Sequence, residues 1–196
     1  VNENDLKVLI PFLKNNKLFK NKLNIISNLS SDFKISLSDS LQIQNYECDI
    51  KLETKNTEIN LRSPFETKLT KTKFSNIKLE KTILKINLND SKKNRFSIEG
   101  LYNLNTSLNK FKIQSNFNKS QRKYLIDFDF DKEIDIKLLN YKKKDGVKSN
   151  FVAEFITKNN DFDFNKIIYT EGKSFLKLNG LKIKNKKFYD IKKTHI

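Results

Sequence analysis

The eighteen residues Tyr124–Tyr141, YLIDFDFDKEIDIKLLNY, decide the fold class. Tyr124, Ile126, Phe128 and Phe130 are apolar. After the charged break Asp131-Lys132-Glu133, Ile134, Ile136 and Leu138 resume on the same parity, while Asp127, Asp129, Asp135 and Lys137 take the other. Successive side chains leave a β-strand on opposite sides, so this period predicts two strands with one dry face and one wet face, joined at the break as a hairpin.

The same pattern runs outward in both directions. Upstream it predicts strands through Phe33, Ile35 and Leu37; Leu41 and Ile43; Cys48, Ile50 and Leu52; Ile59 and Leu61; Phe74, Ile77 and Leu79; Leu84, Ile86 and Leu88; Phe96 and Ile98; Phe111 and Ile113. Downstream come Phe151, Ala153 and Phe155; Phe162 and Phe164; Ile168; Phe175, Leu176 and Leu178; Leu181 and Ile183. The breaks between them, such as Ser38-Asp39-Ser40, Asp145-Gly146, Glu171-Gly172 and Asn179-Gly180, are short and rich in turn formers, so neighbours in sequence are expected to be neighbours in the sheet. Residues 1–31 are the least regular part. Asn4 and Asp5 open a possible helix carrying Leu6, Leu9, Ile10 and Leu13, interrupted by Pro11. The chain therefore divides into a short helical or irregular lead-in over 1–31 and a repetitive antiparallel β section over 32–196.

About a dozen strands in an up-and-down meander exceed what a twisted sheet carries without curling, splitting or closing. The predicted fold is all-β, an elongated and curled antiparallel β-meander whose apolar face forms a hydrophobic groove. Its predicted lining is Ile50, Leu52, Ile59, Leu61, Ile86, Leu88, Ile98, Ile113, Ile126, Phe128, Phe130, Ile134, Ile136 and Phe155. The alternative is a structural or adhesive β-sandwich in which the same residues form a sealed core. An outer-membrane barrel fits less well, because most of these strands are shorter than the roughly nine to eleven residues such a barrel needs.

Composition narrows the chemistry. The net charge is +16, but only Arg62, Arg95 and Arg122 supply guanidinium groups, and the lysines are spread along every strand. Dispersed lysines give diffuse attraction to phosphate, without the bidentate readout that specific nucleic-acid binding favours. The densest runs, Lys92-Lys93 and Lys142-Lys143-Lys144, fall at expected turns. No specific nucleic-acid partner is expected. Cys48 is the only cysteine and alternates with Ile50 and Leu52, which predicts a buried, inert thiol. His195 is the only histidine, so a multi-histidine metal site or a His-based triad is not available. Asp127, Asp129 and Asp131 have the spacing of a calcium loop's opening, yet Lys132 stands where the sharp-turn glycine belongs and strand alternation explains the spacing. Gly100, Gly146, Gly172 and Gly180 form no phosphate-binding loop. No catalytic residue, metal or cofactor is predicted, and the protein is not expected to be an enzyme.

The apolar run Val8–Leu13 is the longest and falls far short of the roughly 18–20 residues of a membrane-spanning helix. With no signal-peptide pattern either, the chain reads as a section of a longer protein whose anchor lies elsewhere.

Three stretches carry a family resemblance: the irregular start DLKVLIPFLKNNKLFKNKLNIISNLSSDFKISLSD, the one-sided CDIKLETKNTEINLRSPF and the closing YTEGKSFLKLNGLKIKNKKF. Their texture resembles the repetitive β-groove region of the AsmA-like superfamily of bacterial envelope proteins, of the YhdP and TamB type. The resemblance implies phospholipid acyl chains as the partner, carried along a groove between inner and outer membranes in outer-membrane maintenance. It also implies a periplasmic location, with membrane contact and an inner-membrane anchor outside this chain, and no catalytic motif.

Overall fold

The computed structural model describes residues 25–67, 70–89, 94–104, 107–118, 121–136, 140–158, 161–184, 187–190 and 192–195. The predicted lead-in lies outside the described residues as far as residue 24. Residues 25–31, the end of the predicted lead-in, are already strand.

The described residues form thirteen strands and no helix: β1 (Ile25–Leu37), β2 (Ile43–Thr67), β3 (Thr70–Asn89), β4 (Asn94–Asn103), β5 (Leu108–Phe117), β6 (Arg122–Phe130), β7 (Ile134–Ile136), β8 (Tyr141–Lys143), β9 (Ser149–Lys158), β10 (Asp161–Glu171), β11 (Ser174–Lys184), β12 (Lys187–Asp190) and β13 (Lys193–His195). The main sheet is an antiparallel meander in the order β1-β2-β3-β4-β5-β6-β9-β10-β11-β12, with β13 also on β11. Among the described residues it does not close, and β1 and β12 are its edges. Short polar turns produce this order, because each strand finds its partner in the next one along the chain.

Register turns the sequence alternation into a surface. Leu29, Leu52, Leu84, Ile98, Ile113, Ile126, Ala153, Ile167 and Leu178 stand opposite one another in turn. Directly paired residues share a face, so this is one unbroken apolar row, about 38 Å long at about 4.8 Å per strand. A second row runs beside it through Ile50, Ile86, Phe96, Ser115, Tyr124, Phe155, Phe164 and Leu181. The opposite face carries the charges: Glu99 with Lys112 at 3.3 Å, Lys123 with Glu154 at 2.6 Å, and Asn150 donating to Asp127 at 2.8 Å and Asp129 at 3.1 Å.

Two paired irregularities keep the apolar residues on one side where the sequence parity changes. In β2 the inward set passes from Ile50, Leu52 and Thr54 to Thr57, Ile59 and Leu61; in β3 it passes from Leu88, Ile86, Leu84 and Thr82 to Leu79 and Ile77. The shift is absorbed by bulges in the β1–β2 and β3–β4 ladders, and Lys81 takes a left-handed backbone with φ of 48°. Gly100 faces that bulge: a Cβ there would meet Thr82 Oγ1 at 2.8 Å and Thr82 Cα at 2.9 Å, so only glycine allows the strands to close up. In the same way Phe162 and Phe164 give way to Ile167 and Tyr169 in β10, opposite Gly180 of β11 with φ of 68°.

One prediction is corrected. Ile134 and Ile136 do not return to the sheet as the partner of β6. They belong to β7, which pairs with β8 alone. The neighbour of β6 in the sheet is β9, which matches all nine residues of β6 side by side from Arg122↔Thr157 to Phe130↔Ser149. A three-residue strand offers too short a ladder to compete.

Candidate functional site

The apolar face is the candidate site. Leu52, Leu84 and Ile86 form its core, with Ile50, Leu88, Phe96 and Ile98 packed against them. Over β6, β9 and β10 it becomes aromatic. Tyr124 stacks on Phe155 at 5.1 Å, Phe155 lies 4.9 Å from Phe164, and Phe128 lies 5.2 Å from Phe151. Only six apolar residues are buried among the described residues: Leu52, Leu84, Ile86, Leu104, Ala153 and Phe155. Apart from Leu29 and the buried Ser115, the rest of the rows are half-buried by their neighbours. Towards the β1 edge the same face is open, with Leu29, Phe33, Ile35 and Leu37 exposed beside Ile43 and Tyr46.

Of the predicted lining, Ile50, Leu52, Ile86, Leu88, Ile98, Ile113, Ile126, Phe128, Phe130 and Phe155 share this face by register or strand alternation, and Ile59 and Leu61 join it past the bulge. Ile134 and Ile136 stand apart on β7. Cys48 lies opposite Phe33 and Leu88, half-buried on the same face. A separate hollow of about 590 Å³ lies on the wet face, among Asp32, Asp49, Lys85, Arg95, Gln114 and Asn116. Its mixed charges suit water better than an acyl chain.

The sequence pattern misses a second part of the site. The link from β6 to β9 folds back over the apolar face as the β7–β8 hairpin, and β7 comes to rest against β3, three places away in the sheet order. Tyr141 of β8 meets Tyr169 of β10 edge-on at 5.9 Å; the two hydroxyls are 2.8 Å apart, and both donate to Glu171. Ser107 donates to Asp131 at the hairpin's start, and the Tyr102 hydroxyl donates to the Asp129 carbonyl. Lys143 is 0% exposed; its Nζ donates to the Val147 carbonyl at 2.7 Å and lies 5.4 Å from the centre of the Phe130 ring.

Beyond Leu52 and Leu84 the inner face changes character. Thr54 and Thr82 follow the Leu52–Leu84 row, and next to them come Thr57, Tyr102, Asn109 and Ser149. Thr54, Thr57, Thr82, Asn109 and Ser149 are all buried. Ser149 donates to the Phe130 carbonyl at 2.7 Å, whereas Thr54 Oγ1, Thr57 Oγ1 and Asn109 Oδ1 have no partner. Each such unpaired group costs about 1–3 kcal/mol, so this flank is polar at the expense of stability.

Burial holds the Lys143 ammonium below the usual lysine range, partly offset by the carboxylates of Glu171, Asp131 and Asp145. It pushes the Tyr102 phenol up, helped by Asp131 and Asp129, and pushes Tyr141 and Tyr169 up as well, Tyr141 helped by its bond to Glu171. These tyrosines hold their protons in the folded state after the unfolded chain has begun to lose them near the ordinary phenol value of 10.0. Above that pH the folded state binds more protons, so stability falls as pH rises; below it the contribution is complete. Lys143 acts oppositely, favouring the folded state as pH climbs towards 10.5. Thermal melts are expected to hold up to about pH 10 and drop above it. Tyrosinate absorbance should appear together with unfolding, and Tyr141→Phe should flatten the drop. Ionisation of these tyrosines well before unfolding would contradict the assignment.

Among the described residues no group of three or more metal-ligating side chains comes together, and no helix is long and apolar enough to cross a membrane. No protein-family model, curated protein or solved structure matches the chain.

Proposed function

We propose that this chain is a section of a longer envelope protein that shields phospholipid acyl chains along its apolar β-face as they pass between the inner and outer membranes. The observation that carries the reading is the apolar row from Leu29 to Leu178, continuous over nine strands of a sheet that stays open at the β1 edge. A row about 38 Å long exceeds the depth of one leaflet's hydrocarbon, half of a core about 30 Å thick. Each methylene taken out of water contributes about 0.8 kcal/mol, and the contacts along the row are chemically alike, so a chain can slide without leaving one deep well. The reading assigns no chemical step. The periplasmic location and an inner-membrane anchor outside this chain rest on the resemblance to AsmA-like proteins.

Protein purified from bacterial membranes is expected to carry phospholipid, seen by native mass spectrometry and lipid extraction. A consistently lipid-free protein that also fails to take a fluorescent phospholipid from vesicles would overturn the proposal.

A further inference from the structure

We infer that the β1 edge is an interface with a second copy of this chain, paired antiparallel, strand to strand, about a two-fold axis through Phe33. Among the described residues β1 is the long open edge of the sheet, thirteen residues against four in β12 at the other edge. Every residue from Asn28 to Leu37 is exposed. Leu29, Phe33, Ile35 and Leu37, all on the apolar parity, are 63%, 61%, 45% and 52% exposed. An edge that is to stay single in water is ordinarily blunted by a proline, by a charge on the apolar parity, by a bulge or by shortness. β1 holds no proline, its charges Asp32 and Lys34 both stand on the wet parity, and its irregularities fall at its two ends. Such a strand accepts another strand that alternates as it does.

Charge complementarity identifies the occupant. Directly opposite residues share a face, so two antiparallel copies keep apolar against apolar only if the axis passes through a residue and not between two. An axis at Asp32 or at Lys34 sets that charge against its own copy, which is unfavourable, and one at Ser31 or Ile35 leaves both charges facing serine or asparagine. An axis at Phe33 sets ring against ring, Leu29 against Leu37 and, on the wet face, Asp32 against Lys34 twice. Within its own chain Asp32 stands opposite Asp49, so the lysine of the second copy offsets a like-charge pair, while Lys34 stands opposite Glu47 at 4.0 Å. The facing residues from Leu29 to Leu37 supply about eight to ten backbone hydrogen bonds. The transverse row of one copy then runs on from Leu29 into Leu37 and Ile43 of the other, joining the two apolar faces edge to edge and leaving the space above them open.

The test is the mass in solution by light scattering. At about 0.1 mM the unaltered protein should have twice the 23.1 kDa of one chain, and after about hundredfold dilution the mass of one. Asp32→Lys and Lys34→Asp change exposed wet-face residues and leave the fold intact. Each alone should weaken the pairing about tenfold, and an equimolar mixture of the two should restore it, because both facing pairs are then of opposite sign. In a Cys48→Ser background, Phe33→Cys should link to its own copy under mild oxidation about tenfold faster than Ile35→Cys. The axis brings position 33 of the two copies to about 4.5–5.5 Å between Cα atoms, within disulfide reach, and leaves position 35 out of register with itself. A single-chain mass at every concentration, a mixture that stays unpaired, or no preference for linking at position 33 would each overturn the inference. In a chain that stays single, slow hydrogen exchange along the whole of β1 would assign the edge to another segment of the same chain instead. None of these readouts involves lipid, so their failure leaves the acyl-chain reading standing.

Discussion

A photo-reactive residue at Phe128 should capture phospholipid in cells, whereas the same residue at Asp129 should not. The two positions are adjacent in β6, and a single step along a strand reverses the face. Phe128 lies opposite Phe111 and Phe151 and meets the Phe151 ring at 5.2 Å on the apolar side. Asp129 lies opposite Asn150 and accepts its amide hydrogen at 3.1 Å on the wet side. Phe128→Asp should lower bound phospholipid at least tenfold, because a carboxylate in a path for acyl chains either keeps its water or loses several kcal/mol on desolvation. Phe128 is only half-buried, so the altered protein should stay folded and abundant. A sealed sandwich core predicts the reverse: an unfolded, scarce variant and no lipid captured at either position. Equal capture at Phe128 and Asp129 would show that the two faces have been assigned wrongly.

The strand class was legible because side-chain period is a local property: alternation in Tyr124–Phe130 or Phe151–Phe155 needs no knowledge of partners. Strand length was not. Leu52 and Ile59 differ in parity, and the interval between them reads as a turn, yet both belong to one 25-residue strand because Thr54 and Thr57 flank a bulge matched by Lys81 in β3. The hairpin was misplaced for a related reason. Ile134 and Ile136 repeat the parity of Ile126 and Phe128, but parity says nothing about which strand supplies the longest ladder, and β9 does. The polar flank was the least legible part. Thr54, Thr57 and Thr82 fall outside the apolar set that the alternation picks out, and Lys143 is the middle of a lysine run that falls at an expected turn. All four are buried, and burial is a tertiary property that no local pattern encodes. Only the spacing of Tyr141 and Lys143, two residues apart on one side of a short strand, hinted that this run has an inward face.

Leu84→Ala should cost about 2–5 kcal/mol, and Leu29→Ala should stay within about 0.5 kcal/mol of the unaltered protein. Both leucines belong to the same transverse row, on the same face, with Leu52 between them. They differ in what surrounds them. Leu84 is 3% exposed, inside the cluster of Leu52 and Ile86 with Ile98 packed against it, so truncation loses the transfer energy of its methyl groups and leaves a cavity. Leu29 is 63% exposed on the edge strand β1, where a smaller side chain gives up little burial and opens no cavity. Urea denaturation with an unchanged slope measures the difference directly as a shift of midpoint. Equal, large costs at both positions would mean that a second layer covers the β1 edge in solution and that the apolar face is a sealed core; equal, small costs would mean that the Leu52–Leu84–Ile86 cluster does not hold the sheet. The expected gap of several kcal/mol follows from a face whose burial is supplied by the curl of its own sheet and fades towards the open edge.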